Sequence, residues 1–345
     1  MKFRIGLALA AALIAVVPLF TACNKEAAPS GPTTGTSGGG GGGGDKQMTV
    51  GFAQTGSESG WRNANTKSVK EEAAKRKIDL KFVDANSDPQ KQQKALADFI
   101  AQRVDIIILE PIQVQGWDSV LKEAKSANIP VIIGDRNVAA PADLYVTFIG
   151  SDFLDEGRKA GEWLAKKTGG KAVIAEMQGE VGSAPARDRK KGFEEAIAKF
   201  PEMKIVLSQT ADFKRAKGNE LMATYMQDAK FKDVTVLYAH NDDMALGAIE
   251  AIKAGGKKPG KDLMIVSVDG TKDGIAALRA GEINCIVECN PLLGPQLFDN
   301  ASKILKGESV PKEQKSIESV YDQDGLDFGR PEKAVKISDS KVEGF

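Results

Sequence analysis

Three side chains of unlike chemistry fall within one short stretch, "TGSESGWRNA", Thr55 to Ala64: a carboxylate at Glu58, an indole at Trp61 and a guanidinium at Arg62. An acceptor, a flat apolar face and a fork of donors can together grip a neutral, hydroxyl-bearing ring. A phosphate would instead call for Gly-x-Gly-x-x-Gly at such a corner, and here Gly56 and Gly60 stand four apart. The same mixture recurs along the chain: Asp135 and Arg136 in "GDR", Arg187 and Arg189 in "ARDR", Asp212 and Phe213 in "ADF", Asn241 and Asp242 in "HNDD", Asp269 in "SVDG" and Glu288 in "VECNP". Setting Arg62, Arg136 and Arg187 against Glu58, Asp135, Asp269 and Glu288 gives nearly balanced charge. That suits a neutral ligand with many donors and acceptors better than a phosphate or a dicarboxylate. A sugar hydroxyl both donates and accepts, and the C–H face of a sugar ring packs on an indole such as Trp61.

These residues follow short apolar runs, and the runs are regular. "MTVGFAQ", "IDLKFVDA", "DIIILEP", "PVIIGD" and "YVTFIGSD" alternate with amphipathic helical stretches. The alternation resumes with a helix near Glu156 to Lys167, then "KAVIAEMQ", "KIVLSQT", "VTVLYAH", "LMIVSVD" and "INCIVEC". Runs of this length with helices between them predict parallel sheets covered on both faces, and two such sets predict an α/β protein of two doubly wound lobes. Open α/β sheets bind ligands beyond the carboxyl ends of their strands, which is where the polar residues above collect. Two edges of this kind facing each other would make one polar cleft.

The N-terminal end bears on location. "MKFR" is a basic n-region, Ile5 to Phe20 is an apolar h-region too short for a confident membrane span, and "LFTAC" resembles the lipobox of bacterial lipoproteins. Residues 1–23 are therefore expected to be a lipoprotein signal peptide, with Cys23 lipidated as a membrane anchor at the periplasmic or extracellular face. Residues 24–47, with "APSGPTTGTS" and the glycines 38–44, cannot bury enough apolar surface to order. They read as a tether, and a Gly/Ser chain of about 24 residues reaches roughly 27 Å.

Lys plus Arg and Asp plus Glu each number 47, with no dense basic cluster in the body, so nucleic acid is not an expected partner. Cys285 and Cys289 lie four apart in what reads as a strand, about 13 Å between Cα atoms, and are expected to be buried thiols and not a disulfide. His240 is the only histidine, without partners for a triad or a metal site, and reads as a satisfied strand-end residue. No metal or cofactor is expected. Asp88, Asp242 and Asp243 read as helix caps, with Asn241 as the ligand group; Trp117 and Trp163 lie in helical patterns and read as packing.

From Met48 to Phe345 the chain resembles the type I periplasmic sugar-binding proteins of bacterial ABC importers, most closely their galactofuranose-binding branch. The likeness rests on "VGFAQTGSESGWR", "GDR", "DRKKGFEEAI", "ADFKRAKG", "YAHNDDMALGAIEAIK", "KPGKD" and "SVDG". It implies ring stacking by Trp61 and Phe213, and hydrogen bonds from Glu58, Arg62, Asp135, Arg136, Asn241, Asp269 and Glu288. At "SAPARDRKKG" the pattern departs: Pro185 and Arg187 stand there, and ribose-type relatives place a sugar-contacting arginine at the position of Arg187. Arg187 is therefore taken as a contact, while Arg189 fits either a contact or a structural ion pair. The resemblance further implies a three-segment hinge near Ser151, Glu288 to Pro291 and Ile317, dividing the body into 48–151 plus 289–317 and 152–288 plus 318–345. It implies a monomer that closes on a monosaccharide, galactofuranose or a related hexose or pentose, and delivers it to an ABC permease. Three other readings stay in view: a chemoreceptor's sugar sensor, a transcriptional regulator, and a secreted sugar-processing enzyme. The regulator would need an N-terminal helix-turn-helix where the leader stands, and the enzyme a catalytic carboxylate pair with room for a water.

Overall fold

The computed structural model describes residues 47–345; the expected leader, Cys23 and residues 24–46 of the tether lie outside the described residues. None of the described helices is long and apolar enough to cross a membrane. In chain order the body begins β1 (Thr49–Gln54), α1 (Gly60–Lys75), β2 (Asp79–Asp84), α2 (Pro89–Ala101), β3 (Ile106–Leu109), α3 (Asp118–Ser126), β4 (Val131–Asp135) and β5 (Thr147–Gly150). It continues α4 (Phe153–Thr168), β6 (Lys171–Gln178), α5 (Ala184–Ile197), β7 (Glu202–Thr210), α6 (Arg215–Gln227), β8 (Val236–Ala239), α7 (Asp242–Ala254), β9 (Met264–Asp269), α8 (Lys272–Arg279) and β10 (Cys285–Glu288). Helix α9 (Gly294–Leu305) and the short strands β11 (Glu313–Lys315), β12 (Val320–Asp322) and β13 (Val335–Lys336) complete it.

Every apolar run picked out in the sequence is a strand, and the strands form two sheets, ordered β11-β5-β4-β3-β1-β2 and β13-β12-β10-β9-β8-β6-β7. All pairings are parallel except β10 with β12. Helices cover both faces, so central strands are apolar throughout. In β3 Ile107 and Leu109 pack with Leu96, Phe99 and Trp117, while Ile106 and Ile108 face Val69, Leu297 and Phe298 on the other side. Burying each such side chain contributes about 1.5–3 kcal/mol. In β8 Leu237 and Ala239 meet Met222 and Met244, and Val236 and Tyr238 meet Trp163 and Phe193. Edge strands β2 and β7 are only partly covered, which fits the lysines, glutamates and polar residues they carry.

Strand order reverses between β1 and β3 in the first sheet and between β6 and β8 in the second. At such a switch point the loops diverge and leave a crevice at the strands' carboxyl ends. The chain passes between sheets three times, at 151–152, at 289–293 and at 316–319, so β11 returns to the first sheet beside β5 and β12 to the second beside β10. Strands β11 to β13 were not foreseen: "EQK" and "VYD" are too short and polar to stand out from loops.

Candidate functional site

The two switch points face each other around a small cavity lined by residues of both lobes. The lobes touch around it. Gly60 N donates to Asp243 Oδ2 at 2.7 Å, Val114 N donates to Gly182 O at 3.1 Å, and Arg136 Nη1 stands 3.7 Å from Glu180. The structure is therefore in a closed arrangement.

From the first lobe, Ser59 caps α1 by accepting from Arg62 N, which places Glu58 just outside the helix and Trp61 and Arg62 in its first turn. Arg62 is buried among three carboxylates: Nη1 meets Glu110 and Nη2 meets Asp135, each at 2.6 Å, and Nε lies 3.4 Å from Glu58. Burial works against its charge, but Asp135, Glu58 and Glu110 outweigh it and hold the guanidinium protonated. Burial also opposes ionisation of Glu58, yet Arg62 and Arg136 keep its carboxyl below the usual range. For Glu110, wholly buried, desolvation wins over Arg62 and the carboxyl is pushed up to about 7. Asp135 takes a positive φ of 55°, and Arg136 N reaches back to Gly134 O at 2.6 Å, a tight γ-turn. That strained corner turns both side chains into the cavity instead of alternating them across the sheet. Gly150 permits the corner, since a Cβ there would lie 2.2 Å from Asp135 O.

The second lobe supplies Phe153, Pro185, Arg189, Phe213, Asn241 and Asp269. Phe213 also has a positive φ, 60°, unusual for an aromatic residue, and its ring lies over Gly179, where a Cβ would come within 1.8 Å of it. Asn241 does two jobs: its Oδ1 caps α7 at Met244 N and its Nδ2 donates to Phe213 O at 3.2 Å, so it fixes the aromatic loop. Arg189 donates to Glu156 at 2.6 Å and stands 3.6 Å from Asp269. Burial pushes the Asp269 carboxyl well above the usual range against the pull of Arg189.

Two regularities define what this cavity can hold. Each arginine lies over an aromatic ring: Arg62 over Trp61, Arg136 over Phe213, Arg189 over Phe153, at 4.6, 5.6 and 5.3 Å from the ring centres. The cavity thus alternates apolar faces with planar donors. Four buried polar atoms at the lining have no hydrogen-bond partner among the described residues: the donors Arg136 Nε and Nη1, and the acceptors Glu58 Oε2 and Asp269 Oδ2. Leaving such groups unpaired costs about 1–3 kcal/mol each, so the closed cavity is built for a ligand that both donates and accepts. Three carboxyl groups and three guanidinium groups line it, so it presents no single sign of charge to a ligand.

The structure brings together Glu58, Trp61, Arg62, Asp135, Arg136, Phe213, Asn241 and Asp269, and leaves two expected residues outside. Arg187 points to solvent and is forked onto the neighbouring Asp188 at 2.7 Å. Arg189 stands at the cavity in its place. The helical period explains this: the buried stripe of α5 runs Ala186, Arg189, Phe193, Ile197, and position 187 falls off it. Glu288 does not reach the cavity either; its Oε2 accepts from Ser319 N at 2.9 Å and from the Tyr321 hydroxyl at 3.3 Å, bracing two of the passages between lobes.

Other expectations also change. Asp88 caps α2, but the cap of α7 is Asn241. Asp242, fully buried, accepts from Ser267, Gly270 and Thr271, and Asp243 makes the inter-lobe bond to Gly60. Cys285 and Cys289 are buried free thiols. His240 is buried with Nε2 3.0 Å from Glu176, and burial lowers its pKa. Trp163 Nε1 donates to Asp322 and Trp117 Nε1 to Gln113 O. Phe153, Glu110 and Cys289 had not been singled out for the site.

Two α/β lobes passed three times by the chain and closed around one polar cavity define a two-lobed binding protein. A periplasmic binding protein domain model matches residues 50–309, and the chain belongs to that family. It is 46% identical to the galactofuranose-binding protein of Escherichia coli over 77% of this chain and 84% of that protein. It is 31% identical to the ribose import binding protein of Bacillus subtilis over 77% and 85%. Among solved structures, a Mycobacterium smegmatis protein in complex with β-D-fucofuranose is 50% identical, with a TM-score of 0.78 over 80% of this chain and 91% of that one. The binding component of a Shewanella arabinose ABC transporter, bound to α- and β-L-arabinofuranose, is 49% identical, with a TM-score of 0.78 over 80% and 92%. The Escherichia coli, Bacillus subtilis and Shewanella relatives are binding proteins and not enzymes.

Proposed function

We propose that this protein captures one neutral monosaccharide in its five-membered furanose form and presents it to an ABC permease. The observation that carries the reading is the set of unpartnered donors on Arg136 and acceptors on Glu58 and Asp269 around a cavity lined by carboxyl groups, guanidinium groups and aromatic rings. A sugar's hydroxyls would complete those bonds, with Trp61, Phe153 and Phe213 packing on its C–H surfaces. The furanose form is favoured because three relatives at 46% identity or more carry furanose sugars in their names. In this reading 48–151 with 289–317 and 152–288 with 318–345 move as rigid lobes, the passages absorb the hinge rotation, and ligand selects the closed state for the permease. Cys23 carries the lipid and residues 24–47 the tether of a monomer at the periplasmic or extracellular face of a membrane.

Calorimetry against methyl β-D-galactofuranoside, L-arabinose, D-fucose, D-ribose and D-glucose tests this. Binding of the first three, with ribose and glucose weaker, is the expected order, accompanied by a change in Trp61 fluorescence that Trp61→Phe removes. No heat from any of the five would refute the sugar assignment.

A further inference from the structure

One residue from each passage between the lobes meets at a single buried carboxyl. Glu318, from the third passage, is 7% exposed, and its Oε1 accepts from the Ser151 hydroxyl of the first and from Asn290 N of the second at 3.0 Å. The Cys289 thiol lies 3.4 Å from that Ser151 hydroxyl. Facing Glu318 from α4 is Glu156, 1% exposed, and the thiol and one carboxyl oxygen of each glutamate all lie within 4.8 Å of one another. Glu156 Oε2 accepts from Arg189 at 2.6 Å, but Glu156 Oε1 has no hydrogen-bond partner among the described residues. Arg189 lines the ligand cavity beside Asp269. A continuous buried chain thus runs from all three passages to the binding site.

Two ionised carboxylates this close repel strongly where little water screens them, and only one guanidinium touches the pair. The other charged groups nearby do not relieve it. Lys159 Nζ donates to the backbone carbonyl of Glu318 at 2.9 Å and turns its charge toward Asp155 and Glu332; Asp269, 3.6 Å from Arg189, brings no cation to the pair. Burial raises the Cys289 thiol well above its usual range, so it stays neutral. Burial first, and Glu156 second, raise the Glu318 carboxyl well above the usual carboxylate range.

We propose that Glu318 acts as a neutral carboxylic acid whose O–H donates to Glu156 Oε1, so that one proton ties the three passages to Arg189 and makes Glu318 a positioning residue for the ligand. The proton supplies the donor that Glu156 Oε1 lacks, and Glu156 then presents Arg189 to the cavity. The sign follows: the protonated acid joins the passages, so affinity is full at low pH and falls as pH rises through the titration of Glu318. Glutamine is the matching control, because its amide accepts at one atom and donates at the other at every pH.

The binding arm of the test rests on the sugar reading above; a second arm does not. Calorimetry with methyl β-D-galactofuranoside from about pH 6 to about pH 9.5 is run on the wild type, Glu318→Gln and Glu318→Ala. Wild-type affinity is expected to fall about tenfold or more across the range, Glu318→Gln to hold its low-pH affinity within about threefold throughout, and Glu318→Ala to bind weakly at every pH. Glu110, whose carboxyl is pushed up to about 7, titrates in both wild type and Glu318→Gln, so the difference between them isolates Glu318. Infrared spectra of the ligand-free protein at neutral pH should contain a buried carboxylic-acid carbonyl band that Glu318→Gln removes. Parallel pH profiles for wild type and Glu318→Gln, or no such band, would overturn the proposal. If no sugar binds, the sugar reading fails and the infrared band alone decides this one; if Glu318→Ala does not fold, the glutamine comparison still decides.

Discussion

Arg136→Ala probes the site at its most exposed assumption, that unpartnered donors are waiting for a ligand. Arg136 is 3% exposed, and its Nε and Nη1 make no hydrogen bond among the described residues. Its contacts to Glu58, Asp135 and Glu180 are long, 3.5 to 3.7 Å, so it is held by field and by the Phe213 ring more than by bonds. If ligand hydroxyls accept from both nitrogens, two charge-assisted bonds of about 1.5–3 kcal/mol each are lost on truncation. Water entering the space left by the side chain recovers part of that, which favours the lower half of the sum, about 3–4.5 kcal/mol. At about 1.4 kcal/mol per decade the affinity falls by roughly two to three orders of magnitude. Arg136→Lys restores the charge without the fork and should recover only part of it. Stability is expected to change little, because Arg62 still contacts both Glu58 and Asp135 and the long Arg136 contacts are the ones lost. Calorimetry with methyl β-D-galactofuranoside, paired with thermal unfolding of the free protein, measures both quantities. An affinity within about threefold of wild type in a folded Arg136→Ala protein would refute the claim that these nitrogens meet the ligand.

Two further substitutions separate binding from support. Arg187→Ala, outside the cavity and paired among the described residues only with its neighbour Asp188, should leave affinity within about twofold and stability within about 0.5 kcal/mol by calorimetry and thermal melts. Asp242→Ala, by contrast, strands the Ser267 and Thr271 hydroxyls and the N–H groups of Gly270 and Thr271. It should cost about 2–4 kcal/mol of stability and lower the melting temperature by roughly 5–15 °C, although Asp242 does not touch the cavity.

The fold was legible because its signals are local. A β-branched run such as "DIIIL" states both that a strand forms and that both its faces are covered, and the helices between the runs force parallel pairing. The first-lobe site was legible for the same reason: Glu58, Trp61 and Arg62 sit within one turn after one strand, and Asp135 and Arg136 are adjacent. What failed was the choice between neighbours of like chemistry. Arg187 and Arg189 differ only in the face of α5 they occupy, and the apolar spacing Ala186, Phe193, Ile197 already assigned position 189 to the buried stripe. Chemistry alone could not separate Asn241 from Asp242 and Asp243, since all three can cap a helix; their roles were decided by partners 25 to 183 residues away.

That failure has a physical cause that bears on function. A ligand-facing charge in a dry cavity must be held by an opposite charge that is itself buried, and those partners come from other elements: Glu110 for Arg62, 48 residues on, and Glu156 for Arg189, 33 residues back. Glu110 follows the apolar run of β3 and Glu156 begins a helical pattern, so in sequence each looks like an ordinary strand end or helix start. Yet without Glu110 the Arg62 guanidinium would lose one of its two 2.6 Å anchors, and without Glu156 Arg189 would be left with its bond to the His240 carbonyl and a 3.6 Å approach to Asp269. Selectivity for one ring therefore depends on residues that never meet it: the contacts choose which hydroxyls are recognised, while the buried carboxyls behind them fix how far the donors can move to accept a different sugar.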